Sequence, residues 1–136
     1  MSNTYSKLYK LRTESDEQQE VINFCNSMAD YGIEEYKLIF HIANEGKRTK
    51  RNGARLKREG LKKGIPDLFL PVAKSGYNGL FIEMKKRGGR TSVEQKWWIE
   101  KLRKQGYLVE VCDSSTKAID LIQKYIGSKI NEDKKI

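Results

Sequence analysis

Ile65-Pro66-Asp67-Leu68-Phe69-Leu70-Pro71, then a Ser75-Gly76-Tyr77-Asn78-Gly79 turn, then Leu80-Phe81-Ile82-Glu83-Met84-Lys85: this stretch decides the fold. The first run is short, apolar and bounded by prolines, which predicts a short strand. The second is another strand, and the turn between them makes an antiparallel hairpin. Residues two apart on a strand share a face. Glu83 and Lys85 therefore project together, while Ile82 and Met84 face the other way. If the Glu83 face points inward, a carboxylate and an ammonium are being taken out of water, which is costly without a compensating partner.

Working outward, residues 14–30 carry helical periodicity, with Val21, Ile22, Phe24, Cys25 and Met28 on one side. Residues 35–42 read as a strand and Asn44-Glu45-Gly46 as a turn. Residues 51–63 read as a helix, although Gly53 and Gly60 disfavour one. After the hairpin, Ser92 opens a helix with Gln95 as its capping-box partner, and Gly106 closes it. Residues 107–112 form a further strand. Residues 115–126 form a last amphipathic helix with Ala118, Ile119, Ile122 and Ile126 inward. The order α-β-α-β-β-α-β-α predicts an α/β sandwich around one central mixed sheet flanked by helices. We expect a flexible leader over residues 1–13, a single domain over 14–127 and a charged tail over 128–136.

The 136 residues suffice for one ordinary core. No run approaches the roughly 20 apolar residues of a membrane span, and the polar N-terminus lacks a secretory core, so a cytoplasmic location is expected. Cys25 and Cys112 are distant in sequence and predict buried free thiols. With one histidine, a zinc site is not expected. The net charge is +9, and it is uneven: residues 47–63 hold nine bases and one acid. A second cluster is Lys85-Lys86-Arg87-Gly88-Gly89-Arg90. Such runs suit a polyanion, most simply nucleic acid, although a solvated basic face reads the same way.

Asp67, Glu83 and Lys85 are the residues that carry chemistry. Two carboxylates bind a hard divalent ion through oxygen, the ion polarises a scissile phosphate, and a lysine positions or deprotonates water and stabilises developing charge. The plainer reading is a surface Glu83–Lys85 pair on an edge strand with Asp67 as a turn residue, and spacing alone does not separate the two.

The segments Ile65-Pro66-Asp67-Leu68 and Phe81-Ile82-Glu83-Met84-Lys85 together resemble the PD-(D/E)xK nuclease signature. Gly60 and Gly64 before the Pro-Asp, Thr91-Ser92-Val93-Glu94-Gln95-Lys96-Trp97-Trp98 after the strand, then Leu102, Gly106 and residues 107–111, resemble the virus-type replication-repair nuclease (VRR-NUC) domain in its stand-alone, phage-like form. Glu14-Ser15-Asp16-Glu17-Gln18 is similar to that family's opening E-x-x-x-Q helix. The resemblance spans about residues 14 to 115.

It implies a restriction-endonuclease-like fold, with Asp67, Glu83 and the Met84 backbone carbonyl binding Mg²⁺ or Mn²⁺. It also implies Lys85 as catalytic lysine and Gln95 reaching back to the site. Glu14 is the matching first-helix acid, with Glu17 as the alternative; both also suit a capping or solvent role. DNA contacts are expected from Asn44, Lys47, Arg48, Lys50, Arg51, Arg55, Lys86 and Arg87. The substrate implied is branched, flapped or junction DNA in replication, repair or recombination, and the assembly implied is a homodimer.

Two features stay open between roles. His41 is a packed or hydrogen-bonded histidine or a substrate contact. Trp97 and Trp98 point about 100° apart on a helix, so one is expected inward and the other partly exposed, where it could stack on a base. Against the endonuclease stand a non-catalytic basic nucleic-acid-binding module, whose acids would be replaceable, and a restriction-type nuclease, for whose specificity element the chain leaves little room.

Overall fold

The computed structural model describes residues 11–43 and 50–127, without the side chains of Lys50 and Arg51. The residues 1–10 of the expected leader, the tail 128–136, the turn at Asn44 and the expected DNA contacts Asn44, Lys47 and Arg48 lie outside the described residues, as do the side chains of Lys50 and Arg51.

Four strands form one mixed sheet in chain order: β1 (Phe40–His41), β2 (Leu68–Leu70), β3 (Leu80–Met84) and β4 (Leu108–Cys112). β1–β2 and β2–β3 are antiparallel and β3–β4 is parallel. Among the described residues the α-helices are α1 (Glu14–Asp30), α2 (Lys50–Arg58), α3 (Val93–Lys104) and α4 (Ser115–Ile126). The expected element order and α/β class hold.

The sheet's two faces carry different cores, as the alternation on β3 requires. Leu80, Ile82 and Met84, with Leu68 and Leu70 beside them, pack against Val21 and Cys25 of α1 and Ala118, Ile122 and Tyr125 of α4. Phe81, Phe69 and Val109 face Ile99 and Leu102 of α3. Phe69 and Phe81 stack with ring centroids 4.2 Å apart. Both cysteines are free and buried, and burial pushes their thiols up to about 12 for Cys25 and about 11 for Cys112. They are inert packing residues.

Two element boundaries differ from the sequence reading. Residues 35–42 are mostly not a strand: Glu34–Leu38 winds as a 3₁₀ helix, and only Phe40–His41 pairs with β2. The reason is spacing. Ile33, Tyr36 and Ile39 recur every three residues, which is the 3₁₀ period, and all three pack into the core beneath α1. Phe24 meets the Tyr36 ring edge-on at 5.8 Å. The helix expected over 51–63 stops at Arg58. Gly60 takes φ +108°, and the amides of Gly60 and Leu61 bond back to Lys57 O and Leu56 O at 3.1 and 2.8 Å. That paired closure terminates a helix, and it uses a left-handed residue that glycine supplies without strain.

Among the described residues the edge strands of the sheet are β1 and β4. β1 is two residues long, and the outward carbonyl of Val109 on β4 accepts from Arg103 Nε and Nη2 at 3.3 and 2.8 Å. No helix among the described residues is long and apolar enough to cross a membrane.

Candidate nuclease site

The antiparallel register sets Leu68 opposite Ile82, Phe69 opposite Phe81 and Leu70 opposite Leu80. One step further along the ladder, Asp67 stands opposite Glu83. Two carboxylates thus come together where β2 begins and β3 nears its end. Asp67 is fixed at three points. Its Oδ2 accepts from the Met84 amide at 2.7 Å. Its backbone carbonyl accepts from the Ile42 amide at 2.8 Å and from His41 Nδ1 at 2.9 Å. The histidine is therefore hydrogen-bonded, as one of its expected readings held, and the partner is the backbone of the site aspartate.

Glu83 is 2 % exposed. Among the described residues, its Oε1 is the one buried side-chain polar atom with no hydrogen-bond partner. Burial, then a hydrogen bond to Asp67 and the charge of Asp67, push the Glu83 carboxyl up to about 9, while Lys85 pulls the other way and Glu14 adds a further push. Unsatisfied buried oxygens are rare in folded proteins because each costs desolvation energy. The plain surface-pair reading of Glu83 is thereby excluded.

Lys85 follows β3 directly, its amide bonded to Cys112 O at 2.9 Å, with its side chain half-buried. Glu14, in the first turn of α1, accepts from the Lys86 amide at 3.1 Å, which brings a third acid to the rim. Glu17 is turned elsewhere: it is buried and paired with Arg12 at 2.8 Å. Gln95 completes the predicted capping box, accepting from Ser92 N at 2.8 Å while its own amide donates to Ser92 Oγ at 3.1 Å. Arg55 is exposed beside Glu59, and Lys86 and Arg87 are exposed in the loop after β3. Among the described residues no three Asp, Glu, His or Cys side chains come close enough to enclose a metal ion by themselves. Asp67 and Glu83 form a pair, with Glu14 outside it.

Gly64 holds this loop to α3, a packing role that its place before the Pro-Asp did not reveal. It adopts φ +95°, and a Cβ there would lie 2.7 Å from the Glu94 carbonyl carbon and 2.9 Å from the Gln95 amide nitrogen. Trp98 reinforces the seam by donating from Nε1 to Lys63 O at 3.1 Å. Gly64→Ala is expected to lower stability by about 2 kcal/mol, through backbone strain plus overpacking. Denaturant midpoints check this; an unchanged midpoint would show that the seam yields freely.

A buried carboxyl with one unpartnered oxygen beside a second carboxylate, a lysine two residues further on, and a mixed sheet flanked by helices together make an α/β domain with an acid pair and a lysine at one end of its central hairpin. The VRR-NUC domain model matches residues 29–116. The chain belongs to the VRR-NUC domain family. A solved structure described as a VRR_NUC domain protein is 33% identical, with a TM-score of 0.73, covering 85% of this chain and 89% of that one. No curated protein matches the chain significantly. The matched region contains Asp67, Glu83, Lys85 and Gln95 and begins after Glu14.

Proposed function

We propose that the chain is a divalent-metal-dependent endonuclease that hydrolyses DNA phosphodiester bonds and selects branched, flapped or junction DNA. The single observation carrying the metal-dependent reading is Glu83 Oε1, buried without a partner beside Asp67. An acceptor left without a partner among the described residues fits a hard cation. Asp67 and Glu83 would hold Mg²⁺ or Mn²⁺, with the Met84 backbone carbonyl as a further oxygen and Glu14 at the rim. When bound, the ion supplies charge neutralisation and Lewis-acid polarisation of the scissile phosphodiester.

The chain's own residues do the rest. The Met84 amide and the two donors on the Asp67 carbonyl keep the Asp67 carboxylate from turning away. Lys85 places a positive charge where an attacking water and the phosphorane oxygens would lie. The Gln95 amide nitrogen, with the carboxamide oxygen engaged by the cap, is the end available to orient that water. The basic side chains of Arg55, Lys86 and Arg87 favour a polyanion by charge. Family resemblance supports the preference for branched substrates, and a homodimer would present two such sites to two strands.

Labelled flap, fork, four-way-junction and linear DNA, incubated with Mg²⁺, Mn²⁺ or EDTA, test the proposal. Cleavage is expected with either ion, absent in EDTA, lost in Asp67→Asn and fastest on a branched substrate. Binding with no cleavage in any metal, unchanged in Asp67→Asn, would leave a passive nucleic-acid-binding module.

A further inference from the structure

Trp97 is not used by the site described above, and it is 51% exposed. Its ring is not loose. Trp98 meets it edge-on, with centroids 5.2 Å apart and planes at 86°, and Trp98 is itself tied to the Lys63 carbonyl. The Lys101 ammonium lies 5.7 Å from the Trp97 ring centroid. One helical turn back, Val93 is 81% exposed on the same face. A half-open indole, held in orientation by a buttressing ring and topped by a cation, is therefore presented to solvent by a chain of net charge +9.

These features fit one chemistry. Every nucleobase has a π-face that stacks on an aromatic ring, and the phosphate that follows it needs a cation nearby. A protein partner would be served by the indole and Val93 but would have to desolvate Lys101. The placement also bears on substrate. Trp98 bonds to Lys63 O, and Lys63 lies four residues before Asp67, so the α-carbons of these two residues are at most about 14 Å apart. The indole pair thus lies within a few nucleotides of the carboxylates.

We infer that Trp97, with Lys101, is a stacking platform for an unpaired nucleotide of the DNA substrate, giving the site its preference for junctions with single-stranded arms. This deepens the nuclease reading and rests on its nucleic-acid substrate, but its test needs no cleavage. The full chain is titrated in EDTA with an oligodeoxythymidylate of about ten nucleotides, within the site sizes such platforms occupy, and with a blunt duplex. Intrinsic fluorescence is the readout, since the chain has two tryptophans.

Single strand is expected to quench the emission saturably. Trp97→Ala should weaken single-strand affinity roughly 5- to 150-fold, the range of one lost base stack, and change duplex affinity by less than about twofold. Trp97→Phe, which keeps an aromatic face and guards against misfolding, should recover part of the loss. Unchanged single-strand affinity in Trp97→Ala, or an equal loss for duplex, would overturn the inference. So would a dimer that Trp97→Ala converts to monomer in sedimentation, which would make this face a contact between copies. Trp97-dependent binding by a protein that cleaves nothing would uphold the platform and sink only the nuclease reading.

Discussion

Glu83→Gln is expected to make the metal-free protein more stable at neutral pH while abolishing cleavage. The folded carboxyl keeps its proton up to about 9, against 4.5 for an ordinary glutamate. Below the lower value both folded and unfolded chains carry the proton, and the residue costs the fold nothing by ionisation. As the pH rises from there, the unfolded chain ionises freely while the folded chain does not, so stability drains away until about pH 9 and then levels off. At pH 7 the gap from 4.5 corresponds to about 3 kcal/mol, at about 1.36 kcal/mol per unit. Glutamine removes that term, and its amide can donate to Asp67. Thermal melts in EDTA should therefore rise by about 5–10 °C at pH 7 and converge with wild type near pH 4. Mg²⁺ or Mn²⁺ should raise the melting temperature of wild type by mass action and leave Glu83→Gln unmoved. Cleavage should drop at least about a hundredfold, beyond the loss of a supporting group around a metal. A variant no more stable than wild type at pH 7 would mean that Glu83 is comfortable without a cation, removing the observation on which the proposed metal site stands.

Lys85→Ala should have the opposite profile, with a large kinetic effect and a small thermodynamic one. The side chain is half-buried, and its visible electrostatic action is to ease the ionisation of Glu83. Losing it takes one positive charge from a chain carrying +9, so DNA affinity in EDTA should change only slightly. Cleavage under single-turnover conditions should fall by about 10²–10⁴, the span of a lost general acid–base or charge-stabilising group. Lys85→Arg refines the role. Arginine keeps the charge and cannot surrender a proton at any working pH, so retained cleavage would make the lysine a positioning charge, and lost cleavage a base. Undiminished turnover in Lys85→Ala would remove it from the chemistry altogether.

The hairpin, the helix order and the capping box at Ser92 were legible because each rests on local rules: two prolines bounding an apolar run, helical periodicity, and a serine three residues before a glutamine. The juxtaposition of Asp67 and Glu83 was legible only as a possibility. Their opposition depends on strand register, and a slip of one residue would have sent Glu83 to the other face. The burial that gives Glu83 its meaning comes from the third dimension, since an identical Glu-Met-Lys on an outer strand would read the same. The 3₁₀ segment was missed because apolar residues three apart suit neither alternation nor a full helix, and the packing of Tyr36 beneath α1 decides between them. A hydrogen-bonded role for His41 was legible as one of its readings, but the carbonyl that accepts the bond lies 26 residues away.

The way the sheet closes its borders bears on how this molecule lives among its own copies. An exposed strand margin is a template on which a neighbouring chain can extend the ladder, the first step toward fibrils. Here one margin is two residues long, too short to seed such growth. At the other, the Arg103 guanidinium already occupies the Val109 carbonyl, and a newcomer would have to evict it. Together with self-repulsion from a net charge of +9, this should keep copies of the chain apart at high concentration without coalescing.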